Sequence, residues 1–151
     1  MDKILISACF LGEKVRYNGE IKKLSHPLLT HWKNQNRLIS ICPEISGGLT
    51  MPREAAEKQA DGKVITTSAK DVTNAFQLGA KQALLLCQQH KIKYALLKES
   101  SPSCGSAFIY DGSFSHKKIS GQGITTALLR QHNILVFSEN TIEQLAQLLT
   151  D

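Results

Sequence analysis

The stretch "DVTNAFQLGAKQALLLCQQHKIKYALLKE", residues 71–99, decides the fold. Phe76, Ala80, Ala83, Leu84 and Cys87 recur at spacings of three and four, which puts them on one face of a helix. That helix is expected from Asp71 to about His90. The period then changes. "KYALLKE" is a short, nearly continuous apolar run, the mark of a strand buried on both sides. A helix that hands over to a buried strand within a few residues is the repeating unit of an α/β sheet.

Working outward, the same alternation returns. "KILISACF" (3–10) reads as a buried strand that runs into the loop "LGEKVRYNGE". "HPLLTHWKNQN" (26–36) reads as a short helix, with Pro27 in its first turn and Leu24, Leu28 and Trp32 at helical spacing. "RLISICPE" (37–44) is a second buried strand, stopped by Pro43. A long segment punctuated by Gly and Pro (45–62) leads to a weaker strand, "KVITT" (63–67). "AFIYDGSF" (107–114) reads as a small hairpin or an extended excursion, with Asp-Gly at its turn. "GQGITTALLRQHN" (121–133) reads as a glycine-led helix and "ILVFSE" (134–139) as the last strand. "NTIEQLAQLL" (140–149) reads as a terminal helix, with Asn140 as N-cap and Glu143 at the capping-box position. The expected architecture is one α/β domain over residues 1–151. It is Rossmann-like, with a mostly parallel sheet and helices on both faces.

Composition agrees. A chain of 151 residues with 42% apolar and 21% charged residues supports a real core. It has no apolar run long enough to span a bilayer. Its start lacks the apolar core and cleavage site of a signal peptide. The expected compartment is the cytoplasm, where thiols stay reduced. The charge of +5 is concentrated in the first forty residues: Lys3, Lys14, Arg16, Lys22, Lys23, Lys33 and Arg37 stand against Asp2, Glu13 and Glu20. Such a face suits an anionic substrate or RNA, or is plain solvated surface.

Four cysteines stand at 9, 42, 87 and 104, with no C-x-x-C pair. Neither a zinc ribbon nor a thioredoxin-type redox pair is indicated. Cys87 belongs to the apolar stripe of its helix, where a thiol acts as a small hydrophobe. The other three share a context. Cys9 ends strand "ILISAC", Cys42 ends strand "LISIC", and Cys104 comes after strand "YALLKE". Ligands of open α/β sheets collect at the carboxyl ends of strands, so the three thiols are expected to converge. The spacing leaves three readings open: unrelated thiols, a metal or cluster site, and a nucleophilic cysteine. Three thiolates on an iron–sulfur cluster would leave one iron with an open position, as in a catalytic zinc site.

Polar residues flank each thiol. Glu44 lies two residues past Cys42, as a general acid/base or a strand-end carboxylate. Ser100, Ser101 and Ser103 precede Cys104, as substrate-side hydroxyls or local turn caps. Ser7, Lys98 and Glu99 are further candidates, with a structural reading favoured. Gly47, Gly48 and Gly105 allow close backbone approach. "GQGITT" offers a helix start to an anion. P-loop, dinucleotide-fingerprint and H-E-x-x-H patterns are absent.

"ISACFLGEKVRYNG", "CPEISGGLTMPREAAE", "DVTNAFQLGA", "LKESSPSCGSAFIYDGSF" and "GQGITTALL", in this order, resemble the thiouracil desulfurase (desulfidase) family. This bacterial and archaeal family was long catalogued as a domain of unknown function. The resemblance covers almost the whole chain. It implies a [4Fe-4S] cluster on Cys9, Cys42 and Cys104, with Cys87 outside the ligand set. It also implies a catalytic acid at Glu44 and a catalytic hydroxyl at Ser101. The implied reaction is non-redox conversion of a 2-thiouracil-like pyrimidine to its carbonyl base and hydrogen sulfide, with the open cluster iron binding the substrate sulfur. Arg16, Tyr17 and Arg53 match other motif positions. Three places depart from the family pattern. Ser100 stands where Arg or Asn is expected, Ala55 stands where Pro is expected, and "TTSAKDVT" lacks a glycine. Two other readings are a protein that moves sulfur on thiolated nucleosides of tRNA, and a non-catalytic cysteine–metal or redox module.

Overall fold

The computed structural model describes residues 1–12, 24–50 and 52–149. Lys14, Arg16, Tyr17, Lys22 and Lys23 lie outside the described residues, as do Glu13 and Glu20. Among the described residues, no helix is long and apolar enough to cross a membrane.

Four parallel strands form the central sheet, in the order β2-β1-β5-β8. They are β1 (Ile4–Ser7), β2 (Leu38–Ile41), β5 (Tyr94–Leu96) and β8 (Leu135–Phe137). The pairing register runs Ile4 with Leu38 and Tyr94, and Tyr94 with Leu135. Side chains alternate across this sheet and both faces are buried. Leu5, Ala95 and Val136 enter one core cluster, with Ala83, Cys87 and Leu129 from α3 (Thr73–Gln89) and α4 (Ile124–Gln131). Ile4, Ile6 and Leu96 enter the other, with Leu29, Trp32, Ile142 and Leu145 from α1 (Pro27–Asn34) and α5 (Ile142–Leu148). The expected α/β sheet with helices on both faces is therefore present.

One device makes three of the helix-to-strand turns. Asn36, Lys91 and Asn133 adopt left-handed φ of 57°, 54° and 63°. In each case the next N–H reaches back five residues: Arg37 to Trp32, Ile92 to Cys87 and Ile134 to Leu129, at 3.1, 2.8 and 3.1 Å. This satisfies the last helical carbonyls and turns the chain into β2, β5 and β8. Asn tolerates the left-handed region well, and Lys91 adopts it with a side chain that solvent accommodates.

Several boundaries differ from expectation. β1 stops at Ser7, and Cys9 lies on a 3-10 turn, Ala8–Leu11. "KVITT" gives β4 (Val64–Thr66), which leaves the main sheet and pairs antiparallel with the unforeseen β3 (Ala56–Lys58). Polar Glu57 and Lys58 hid β3, because its three residues are only half-buried. The hairpin exists as β6 (Phe108–Tyr110) with β7 (Lys118–Ser120), but residues 111–117 connect them and Asp-Gly only opens that connection. Thr141, not Asn140, caps α5. Its Oγ1 accepts from Ser138 N at 3.0 Å, and Asn140 N instead donates to Ser138 Oγ at 3.1 Å.

Candidate active site

In this strand order the chain turns back across β1, so the crevice for a ligand opens beyond the carboxyl ends of β1 and β5. A cavity of about 490 Å³ lies there. Cys9, Cys42, Cys104, Glu44 and Ser101 all line it. Cys9 arrives on the 3-10 turn after β1. Cys42 comes directly after β2 as the N-cap of α2 (Pro43–Ser46), and Glu44 occupies the first turn of that helix. Pro43 fits the first helical position because it has no N–H to satisfy.

Backbone contact fixes α2. A Cβ on Gly79 of α3 would come within 1.8 Å of the Pro43 carbonyl oxygen. Only glycine lets the two helices meet there. The helix stripe around Phe76 and Ala80 therefore positions Cys42 and Glu44 as well as filling the core.

The Cys104 loop is fixed from two sides. Ser101 Oγ accepts from Cys104 N at 2.7 Å, and Ser103 Oγ pairs with Thr125 Oγ1 at 2.8 Å. Thr126 Oγ1 donates to Cys104 O at 2.9 Å. The first N–H groups of α4 are taken by this loop as well: Ile124 N by Pro102 O and Thr125 N by Ser103 O, at 2.9 and 2.8 Å. A Cβ on Gly123 would meet Ser103 O at 2.3 Å. "GQGITT" therefore serves the loop, and its N–H groups do not wait for an anion.

Glu99 holds the other side. Its carboxylate accepts from Ser100 N, Ser106 N, Ala107 N and Phe108 N at 2.8–3.2 Å, and from Ser106 Oγ. Burial pushes its pKa up, but these donors win and hold it down at about 2. Ser100 bridges to Ile109 and is buried with φ +69°. Ser7 Oγ accepts from Lys98 N at 2.9 Å, and Lys98 pairs with Glu139 at 2.5 Å. These contacts give Ser7, Lys98 and Glu99 structural partners, and all three also line the cavity.

Electrostatics separate the site from ordinary core. The Cys104 thiol is pushed up to about 12, chiefly by burial, with the Ser103 hydroxyl pulling against it and Glu44, Cys42 and Cys9 adding to the rise. Burial raises Cys42 too, opposed by the Ile45 N–H. Burial also raises Glu44, opposed by Arg53, whose Nη2 lies 3.3 Å from Glu44 Oε1. Sequence reasoning left Arg53 as a motif position; here it is the partner of the candidate acid.

The donor set can be tested against a metal group. Among the described residues, no three His, Cys, Asp or Glu side chains come close enough to share one metal ion. A [4Fe-4S] cluster places its thiolates on separate irons and does not need them on one ion. Thiolates gathered in a buried cavity repel each other and require positive charge between them, which soft iron supplies. Cys9, Cys42 and Cys104 fit such a group.

Other cavity residues escaped the sequence reading. Glu57, Tyr110, Phe114, His116 and Lys118 also line the cavity. They come from β3, from the β6–β7 hairpin and from its connection. Only tertiary docking brings these pieces to the cysteines, and no local pattern announces it.

A parallel α/β sheet whose strand ends deliver three thiols, a carboxylate and a hydroxyl to one cavity defines an enzyme of the soft-metal, sulfur-handling kind. The family model for 2-thiouracil desulfurase matches residues 4–141, and the chain belongs to that family. The protein YbbK of Bacillus subtilis (strain 168), described as uncharacterized, is 38% identical over 157 residues, covering 94% of this chain and 99% of its own. The solved structure of the [4Fe-4S]-dependent thiouracil desulfidase TudS is 48% identical and superposes with a TM-score of 0.95, over 97% of each chain.

Proposed function

We propose that this chain acts as a single domain over residues 1–151 to desulfurate 2-thiouracil-like pyrimidines, with a [4Fe-4S] cluster held by Cys9, Cys42 and Cys104. The observation that carries this reading is the gathering of those three cysteines, Glu44 and Ser101 around one cavity. It is supported by 48% identity to a structure described as [4Fe-4S]-dependent. When bound, the cluster supplies an open iron that takes the substrate sulfur and polarises the carbon–sulfur bond as a Lewis acid, without net electron transfer.

This chain's residues do the rest. The cavity wall orients the flat base so that its thiocarbonyl faces the thiols. Water is the second reactant: its oxygen bonds to the carbon, the carbon–sulfur bond breaks, and both protons of the water leave with sulfur as hydrogen sulfide. Glu44 takes the first proton from that water and returns it to the departing sulfur. Arg53 fixes the carboxylate's direction through its ion pair. Ser101 Oγ accepts from Cys104 N, which leaves its own proton free to donate to the substrate.

The test is anaerobic reconstitution with iron and sulfide, then assay with 2-thiouracil. The expected result is uracil and sulfide in equal amounts. A fully loaded protein that releases neither overturns the proposal.

A further inference from the structure

One wall of the cavity stands apart from the three cysteines, Glu44 and Ser101 in sequence. Tyr110, Phe114, His116 and Lys118 line it, and all four come from the β6–β7 hairpin. Tyr110 and Phe114 supply all its Phe, Tyr and Trp lining among the described residues. Elsewhere the lining is thiols, small residues, prolines, charged groups and the aliphatic Ile41.

The loop that presents Phe114 is held in place. Glu57 Oε1 accepts from Gly112 N at 2.9 Å and from Phe114 N at 3.2 Å. Gln59 Nε2 donates to Gly112 O at 3.2 Å. Phe114 and His116 sit at φ +57° and +62°. Such residues keep this conformation only where their surroundings impose it, and at Phe114 the Glu57 carboxylate is the imposing group. The Lys118 Nζ lies 5.7 Å from the centre of the Tyr110 ring, a cation–π contact that steadies the second aromatic.

A thiopyrimidine is a flat ring with a polarisable face, and aromatic side chains hold such rings by stacking. We propose that the β6–β7 hairpin is the base-holding wall: Phe114 and Tyr110 pack on the pyrimidine, and Glu57 is a positioning residue that locks the loop in its base-holding form. This rests on the proposed thiopyrimidine substrate.

The test uses reconstituted protein and two readouts, steady-state kinetics with 2-thiouracil and calorimetric binding of uracil. Phe114→Ala is expected to raise KM and the uracil Kd about tenfold, with kcat within about twofold. Phe114→Leu, which keeps apolar bulk without the π face, falls between. Glu57→Ala moves KM and Kd the same way while thermal unfolding of the core is retained. Unchanged KM and Kd in Phe114→Ala, a loss in kcat alone, or no uracil binding by the loaded wild type overturns the inference. A loaded wild type that binds uracil but releases no sulfide sinks the desulfuration reading instead, and the Kd comparison still judges the wall.

Discussion

Cys87 and Cys104 are packed into the same core cluster, 1% and 5% exposed. Burial raises both thiols, to about 11 and about 12. By depth they are nearly equal. They differ in company. Around Cys87, in the middle of α3, burial is the one influence on the thiol. Around Cys104 stand Glu44, Cys42, Cys9 and the Ser103 hydroxyl. The apolar core ends at Cys104 and the cavity begins there. Burial makes a thiol inert; convergence of several ionisable groups from separate strand ends makes a site.

The sharpest way to break this contrast is to truncate each thiol in turn. Cys104→Ala is expected to remove most bound iron and acid-labile sulfide and to lower kcat/KM on the order of 10³-fold. Cys87→Ala is expected to keep iron and activity and to lose about 1 kcal/mol of stability, read by urea unfolding. If both variants lose iron alike, the distinction between core thiol and site thiol collapses.

A smaller effect separates the thiols from the carboxylate beside them. Glu44→Gln keeps size and hydrogen-bonding reach but cannot take a proton. Its kcat is expected to fall about 10²-fold with iron content retained. Iron lost together with activity would instead make Glu44 a support for Cys42.

Much of this site was legible because strand ends are legible. The apolar runs at 4–7, 38–41 and 94–97 mark buried strands, and a parallel sheet gathers the residues just past each strand at one edge. That logic placed Cys9, Cys42 and Cys104 together and left Cys87 on its helix face. The pieces beyond the sheet were not legible. β3 is three half-buried polar-rich residues, and its pairing with β4 comes from docking rather than pattern. Arg53 and Glu44 are nine residues apart across a loop whose path no periodicity describes. Phe114 reached the cavity because Glu57, fifty-seven residues upstream, fixes the loop's backbone. "GQGITT" looked like an anion site because its N–H groups look unpartnered in sequence; the Cys104 loop supplies the carbonyls.

The smallest expected effect sharpens the same contrast from the loop side, because Glu99 holds the Cys104 loop as the helix holds Cys87. Its folded pKa of about 2 lies below the usual value of 4.5. The folded state therefore binds the Glu99 proton less readily than the unfolded chain. The stability it contributes is present in full above about 4.5 and is lost as pH falls toward about 2. Glu99→Gln removes that charge. At neutral pH the variant is expected to be less stable than wild type by on the order of 1 kcal/mol, a value kept small because water reaches part of the network. Urea unfolding at stepped pH is the measurement. The gap between the two proteins must narrow as pH drops from 4.5 toward 2, because the wild type then loses what the variant already lacks. A gap that stays constant over that range would mean that Glu99 acts by shape alone, and that its charge does not hold the loop.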